Sequence, residues 1–270
     1  MKNIKIKSAL LSVVALSGVY IAQSANSFTI DNFDNASQAL SDNSGSPGGS
    51  IDTGTDASII GGARDLQVFV NNTGSGFVSS TVITGDNVTD PLGNPLGWWV
   101  VSKTVGTRSI SSSIVWDGTT PAASNPLAVT TNGLGSRDFT GNPLNPNVAI
   151  KFDIVSFNDV AVGSSASLTL WSDNGLNTAV SIIADISTLS LGSDLFFNYS
   201  TFSGINFATI SAIRFDVNLL PQTGQSSNFG IDFVELVPVP FEFNPAIGVG
   251  ILGLAWGANK LRKAKKASSK

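Results

Sequence analysis

Asn147-Val148-Ala149-Ile150-Lys151-Phe152-Asp153-Ile154-Val155-Ser156 sets the reading of this chain. Val148, Ile150, Phe152 and Ile154 recur at every second position, with Lys151 and Asp153 between them. Side chains on a strand point alternately to opposite faces, so this spacing predicts a strand with one face buried and one polar. The same period, bounded by Gly, Asn, Asp, Ser or Pro, recurs on both sides of it. Arg64 to Val70, Trp98 to Val105 and Ser109 to Trp116 precede it; Ser165 to Trp171, Thr178 to Ile186, Asp194 to Ser200, Ile210 to Leu219 and Phe229 to Val237 follow. No stretch before residue 238 has a helical period. Many short strands at this spacing predict an all-β, antiparallel β-sandwich of jelly-roll type. Ser41 to Asp56, rich in Gly and Ser, and Pro121 to Pro146, punctuated by Asn-Pro and Gly-Asn-Pro, read as connections.

Composition narrows the chemistry. Cysteine and histidine are absent. Disulfides, thiolate metal sites, histidine zinc sites and Ser-His-Asp catalysis are therefore excluded.

The two ends differ from the middle. Lys2, Lys5 and Lys7 precede an apolar run from Ala9 to Ala22, and Ala22-Gln23-Ser24 or Ala25-Asn26-Ser27 offers a small-x-small cleavage site. This is the pattern of a secretory signal peptide over residues 1–24. At the other end Pro240-Phe241-Glu242-Phe243-Asn244-Pro245 leads into Ala246 to Ala258, which has no ionisable side chain. Lys260, Arg262, Lys263, Lys265 and Lys266 close it. A helix from Phe241 to Leu261 would be about 31 Å long, enough for a hydrocarbon core, with the cations held on the cytoplasmic side. Gly253 and Gly257 supply a Gly-x-x-x-Gly pair, a spacing found where membrane helices pack closely. The expected organisation is a signal helix at 1–24, a β-sandwich passenger at 25–237 and a tail with a transmembrane helix at 238–270.

Of the 15 basic residues, 3 lie in the leader and 6 in the tail; of the 19 acidic ones, only Glu242 does. The passenger therefore has 18 acids against 6 bases, formally −12. Nucleic acid, which needs a basic face, is excluded as a partner. Divalent cations and neutral, hydroxyl-rich polymers suit this balance better.

A proline-containing motif, one apolar helix and a terminal basic cluster resemble the PEP-CTERM class of bacterial sorting tails. The Pro240, Phe241, Glu242, Phe243 form followed by Pro245 is similar to a cyanobacterial variant, although the Pro-Glu-Pro triplet itself is missing. The resemblance implies export to the cell envelope or extracellular space, with at least transient membrane anchoring and processing by an exosortase-like membrane protease. The passenger also resembles carbohydrate-binding jelly rolls of the galactose-binding-like type. Phe28-Thr29-Ile30-Asp31-Asn32-Phe33 and Asn228-Phe229-Gly230-Ile231-Asp232-Phe233-Val234-Glu235-Leu236 correspond to their first and last strands, which pair.

That pairing would bring Asp31, Asp34, Asp232 and Glu235 to one sheet edge, where the resemblance implies a structural calcium. Calcium takes roughly six to eight oxygen ligands in a tolerant geometry. The plainer reading of the four acids is solvated charge that keeps an edge from aggregating. Trp98 and Trp99, adjacent on one strand, must face opposite ways; one belongs to the core and the other is available to stack on a sugar ring, as are Trp116 and Trp171. The plainer reading of each is packing. Glu235 is the only passenger glutamate, and no pair of aspartates shows an acid/base context. The expected function is a non-enzymatic surface or extracellular-matrix protein. The alternatives are a carbohydrate-binding module for exopolysaccharide and an Asp-dependent glycan hydrolase.

Overall fold

The computed structural model describes residues 28–42, 48–71, 74–84, 97–118, 129–142, 145–183, 185–222 and 224–238. The expected signal peptide, the sorting motif Pro240, Phe241, Glu242, Phe243 and Pro245, the apolar segment and the cations Lys260, Arg262, Lys263, Lys265 and Lys266 lie outside them. Among the described residues no helix is long and apolar enough to cross a membrane.

The described chain is an all-β, antiparallel sandwich of two sheets, with helix limited to three-residue turns at 60–62, 199–201 and 207–209. In chain order the strands are β1 (Phe28–Asp31), β2 (Gln38–Asp42), β3 (Gly48–Thr55), β4 (Ala63–Val70), β5 (Val78–Ile83), β6 (Trp98–Lys103), β7 (Ile110–Trp116) and β8 (Gly141–Asn142). They continue as β9 (Asn145–Asn158), β10 (Ser165–Ser172), β11 (Asn177–Ile183), β12 (Asp194–Asn198), β13 (Ile210–Leu219) and β14 (Ser227–Pro238). The first sheet runs β12-β9-β14-β6-β5-β2 and the second β11-β10-β13-β7-β4-β3. The last strand, β14, is central in the first sheet: β9 pairs along one side of it, while β6 and then β1 share the other. First and last strands thus pair as expected, Phe28 with Leu236 and Asp31 with Val234.

Ser41 to Asp56 departs from its reading as a connection. Its described residues include the end of β2 and all of β3. Among the described residues both are edge strands with a single neighbour, held by ladder bonds to β5 and β4.

Inward residues of the two sheets meet in one core. Ile150, Phe152 and Ile154 of β9 and Phe215, Val217 and Leu219 of β13 are all within it. Phe215 is its centre, stacked on Phe152 at 4.3 Å and edge-on to Trp99 at 5.8 Å and Phe197 at 6.0 Å. Such ring pairs add about 0.5–1.5 kcal/mol each beyond the area they bury. Polar links also cross the core. Ser112 of β7 donates to the Gln67 carbonyl at 2.7 Å and shares a 2.7 Å hydrogen bond with the Ser80 hydroxyl of β5, which accepts from the Trp99 indole at 2.9 Å. Asp31 of β1 pairs with Arg64 of β4, both fully buried, at 2.8 Å.

A close backbone approach fixes the turn after β1. Phe33 takes a left-handed conformation (φ 56°), and a Cβ at Gly97 would lie 2.0 Å from its carbonyl oxygen. Because the obstacle is backbone, it cannot rotate away. Gly97→Ala is expected to lower the unfolding free energy by about 1–3 kcal/mol, as overpacking does elsewhere; a melting temperature equal to the parent's would contradict the close approach.

Candidate functional site

The second sheet has an outward face whose side chains do not behave as solvated surface. On β4, Arg64, Leu66, Val68 and Val70 turn inward, which sends Asp65 and Gln67 out. Despite that direction they are 1% and 3% exposed. Asp65 Oδ1 accepts from the Thr53 hydroxyl at 2.8 Å. Asp65 Oδ2 and both polar atoms of the Gln67 amide are buried without a hydrogen-bond partner. Each such group costs about 1–3 kcal/mol when left unpaired. Burial pushes the Asp65 carboxyl up to about 7, with the neighbouring Asp117 adding to the shift against the Thr53 bond.

Strand register carries these groups across the sheet. Gln67 lies opposite Ser113, Ser113 opposite Asp216, and Asp216 opposite Ser167. One residue pair along, Asp65, Val115, Arg214 and Thr169 form the adjoining row. The Arg214 guanidinium bonds Asp216 at 2.7 Å through Nε and meets it again through Nη2 at 2.6 Å. Ser113 also donates to Asp216. Arg214 Nη2 also donates to the Ser113 hydroxyl at 3.2 Å, which fixes the guanidinium between the two side chains. Trp171, half-buried on the same outward face of β10, lies opposite Ala212, two residues before Arg214. From Gln67 to Ser167 is three strand spacings, about 14 Å. The face therefore presents the Arg214 guanidinium, the Asp216 carboxylate and the Trp171 indole in one band, with Asp65, Gln67 and Ser113 buried beside them.

The first sheet's outward face is organised by ion pairs. Lys151 meets Glu235 at 2.6 Å and Asp153 at 2.9 Å. Burial opposes the ammonium charge, but these two carboxylates outweigh it and hold Lys151 above its usual range. Burial, with nearby Asp153, pushes Asp232 up to about 6.

The four acids expected around calcium do not act together. Asp31 is a core residue: its oxygens accept from Arg64 at 2.8 and 2.9 Å, from the Trp116 indole at 2.8 Å and from the Phe33 amide at 2.9 Å. Asp34 accepts from the Gly97 amide at 2.9 Å and the Asn32 side chain at 2.6 Å, and Glu235 is bound to Lys151. Among the described residues no group of three or more acids is placed to hold a metal. Trp98 and Trp99 do face opposite ways. Trp99 is fully buried, whereas Trp98 is half-buried on the outward face of the first sheet with its indole N–H buried and unpartnered. Trp116 is core. Asp65, Gln67, Ser113, Arg214 and Asp216 were not singled out by sequence, because polar residues alternating with apolar ones look like ordinary solvent-side positions.

No family model matches this chain, and no curated protein matches it in sequence. Among solved structures, it is similar to a family 11 carbohydrate-binding module from Clostridium thermocellum in complex with a β-1,3-1,4-mixed-linked tetrasaccharide. The identity is 16%, over 80% of this chain and 97% of that one, with a TM-score of 0.32. It is also similar to the module TmCBM61 in complex with β-1,4-galactotriose, at 12% identity over 64% of this chain and 88% of that one, with a TM-score of 0.30. An exo-β-agarase matches at 13% identity, over 64% of this chain and 23% of that one, with a TM-score of 0.35.

Proposed function

We propose that this chain binds a neutral, hydroxyl-rich polysaccharide along the outward face of its second sheet, and serves without catalysis in surface or matrix structure. The observation that carries this reading is the partly exposed Arg214–Asp216 pair on the same outward face as the half-buried Trp171; Asp65 and Gln67 lie buried at the β4 end of that band. A guanidinium offers N–H donors in one plane and a carboxylate offers acceptors, and a sugar's neighbouring hydroxyls can meet both. Trp171 adds an apolar surface for a ring. Asp65, Asp216 and the passenger's formal −12 disfavour a polyanion. Asp216, bound by Arg214 and Ser113, is not free to act as a base, which favours binding over hydrolysis.

The signal-like leader and the sorting-like tail support export and at least transient anchoring in the envelope, with an exosortase-like protease as processing partner. Calcium is not part of this proposal.

Affinity electrophoresis of the full chain in mild detergent, through gels containing soluble mixed-linkage glucan or galactan, tests it. Retardation by at least one polymer is expected, with Arg214→Ala weakening it by about tenfold or more, the equivalent of one lost hydrogen bond to a charged group. Unretarded migration in every gel would overturn the binding reading. Release of new reducing ends would overturn the non-catalytic one.

A further inference from the structure

Four strands end the two sheet paths: β2 and β12 in the first sheet, β3 and β11 in the second. Three of them carry a carboxylate, at Asp42, Asp52 and Asp194. Charge on an edge strand is a common guard against pairing with another chain. β11, Asn177-Thr178-Ala179-Val180-Ser181-Ile182-Ile183, has neither charge nor proline. Among the described residues it pairs with β10 alone, in unbroken register from Ser172↔Asn177 to Ala166↔Ile183, so no bulge twists the edge away. Ala179 and Ile183 pack toward the core, while Val180 and Ile182 point outward and are 50% and 66% exposed.

We infer that β11 is a self-association edge, pairing antiparallel with β11 of a second copy of this chain. The occupant follows from charge and symmetry. Residues 174–183 contain no ionisable side chain, so on an acidic passenger this edge is where two copies approach without facing carboxylates. A two-fold axis at the middle of the strand sets Val180 beside its own copy and Ile182 beside Thr178, covering apolar side chains on both copies with the same contact. The ladder bonds satisfy the free backbone groups of both edges, and the two second sheets become continuous. The inference stands on the edge itself and does not depend on glycan binding. Were both correct, two outward faces would lie side by side and a polymer would gain avidity.

A single cysteine reports this contact, because the chain has none of its own. Exported full-length Val180→Cys is expected to oxidise to a covalent dimer on non-reducing gels, since directly opposed strand positions lie at disulfide distance. Val162→Cys, at a 79% exposed position elsewhere, is expected to stay monomeric. In sedimentation of the full chain in mild detergent, Val180→Lys and Ile182→Lys are each expected to weaken dimerisation by about tenfold or more. A wild-type chain that is monomeric at every concentration would overturn the inference. So would Val180→Lys dimerising like wild type, the result if tail helices alone joined the copies.

Discussion

Asp31→Asn will lower the unfolding free energy by about 3–5 kcal/mol, the range seen when one partner of a buried ion pair is removed. Arg64 is fully buried, and its Nη1 is held by both Asp31 oxygens. The remaining guanidinium N–H groups go to Gln38 Oε1 at 2.8 Å and to the carbonyls of Asn35 and Ala36 at 3.0 and 2.8 Å. Its plane also lies 5.0 Å from the Phe33 ring centre. No other carboxylate bonds it among the described residues, so an asparagine leaves a full charge in the core. The same change unsettles Trp116, whose indole donates to Asp31. A paired replacement, Asp31→Asn with Arg64→Gln, is expected to cost less than Asp31→Asn alone, because no charge is stranded and amides remain to bond the neighbouring donors and acceptors. Urea unfolding of the three proteins checks this; a single substitution costing under about 1 kcal/mol would mean that the pair does not organise the core.

The second large effect has a pH signature. The Asp65 carboxyl holds its proton to about pH 7 in the folded chain, against an ordinary value of 3.8. Between those values the folded state binds more protons than the unfolded state, so stability falls as pH rises through this window. At about 1.4 kcal/mol per pH unit the loss is at most roughly 4 kcal/mol above pH 7. Asp65→Asn keeps an oxygen for the Thr53 hydroxyl and removes the charge. The variant is therefore expected to be more stable than wild type at pH 8, with the gap closing toward pH 4. The contribution of Asp232, near 6 on the other sheet, is common to both proteins and cancels in the difference. A gap that stays constant from pH 4 to pH 8 would contradict the buried, ionising carboxyl.

Most of the sandwich was legible because burial writes period two into the sequence. Ile150, Phe152 and Ile154 fell on the core side as read, whereas Val148 is half-buried and Ala149 is buried beside it, and Ile210–Leu219 formed a strand with the predicted bounds. The failures have two causes, weak apolar patterning and contacts that only sheet packing makes. β2, β3 and β5 were missed because an edge strand, or one built of Ser, Thr and Val, lacks the apolar surplus that marks a central strand. Asp31 looked like an edge carboxylate because its partner, Arg64, is brought to it only by sheet packing. Trp98 and Trp99 could be set on opposite faces by adjacency alone, but which faced the core was a tertiary fact. Gln67 shows the same limit for the site: its outward direction was readable from Leu66 and Val68, and its burial was not.

Glycan contact at the second sheet's outward face is the central claim, and comparing single substitutions on the two outward faces tests it most directly. In gels containing a polysaccharide that retards the wild-type chain, Arg214→Ala and Trp171→Ala should run nearly as in polymer-free gels, while Trp98→Ala on the first sheet should be retarded like wild type. Retardation lost with Trp98→Ala and kept with Arg214→Ala would place the glycan on the opposite face and contradict the account.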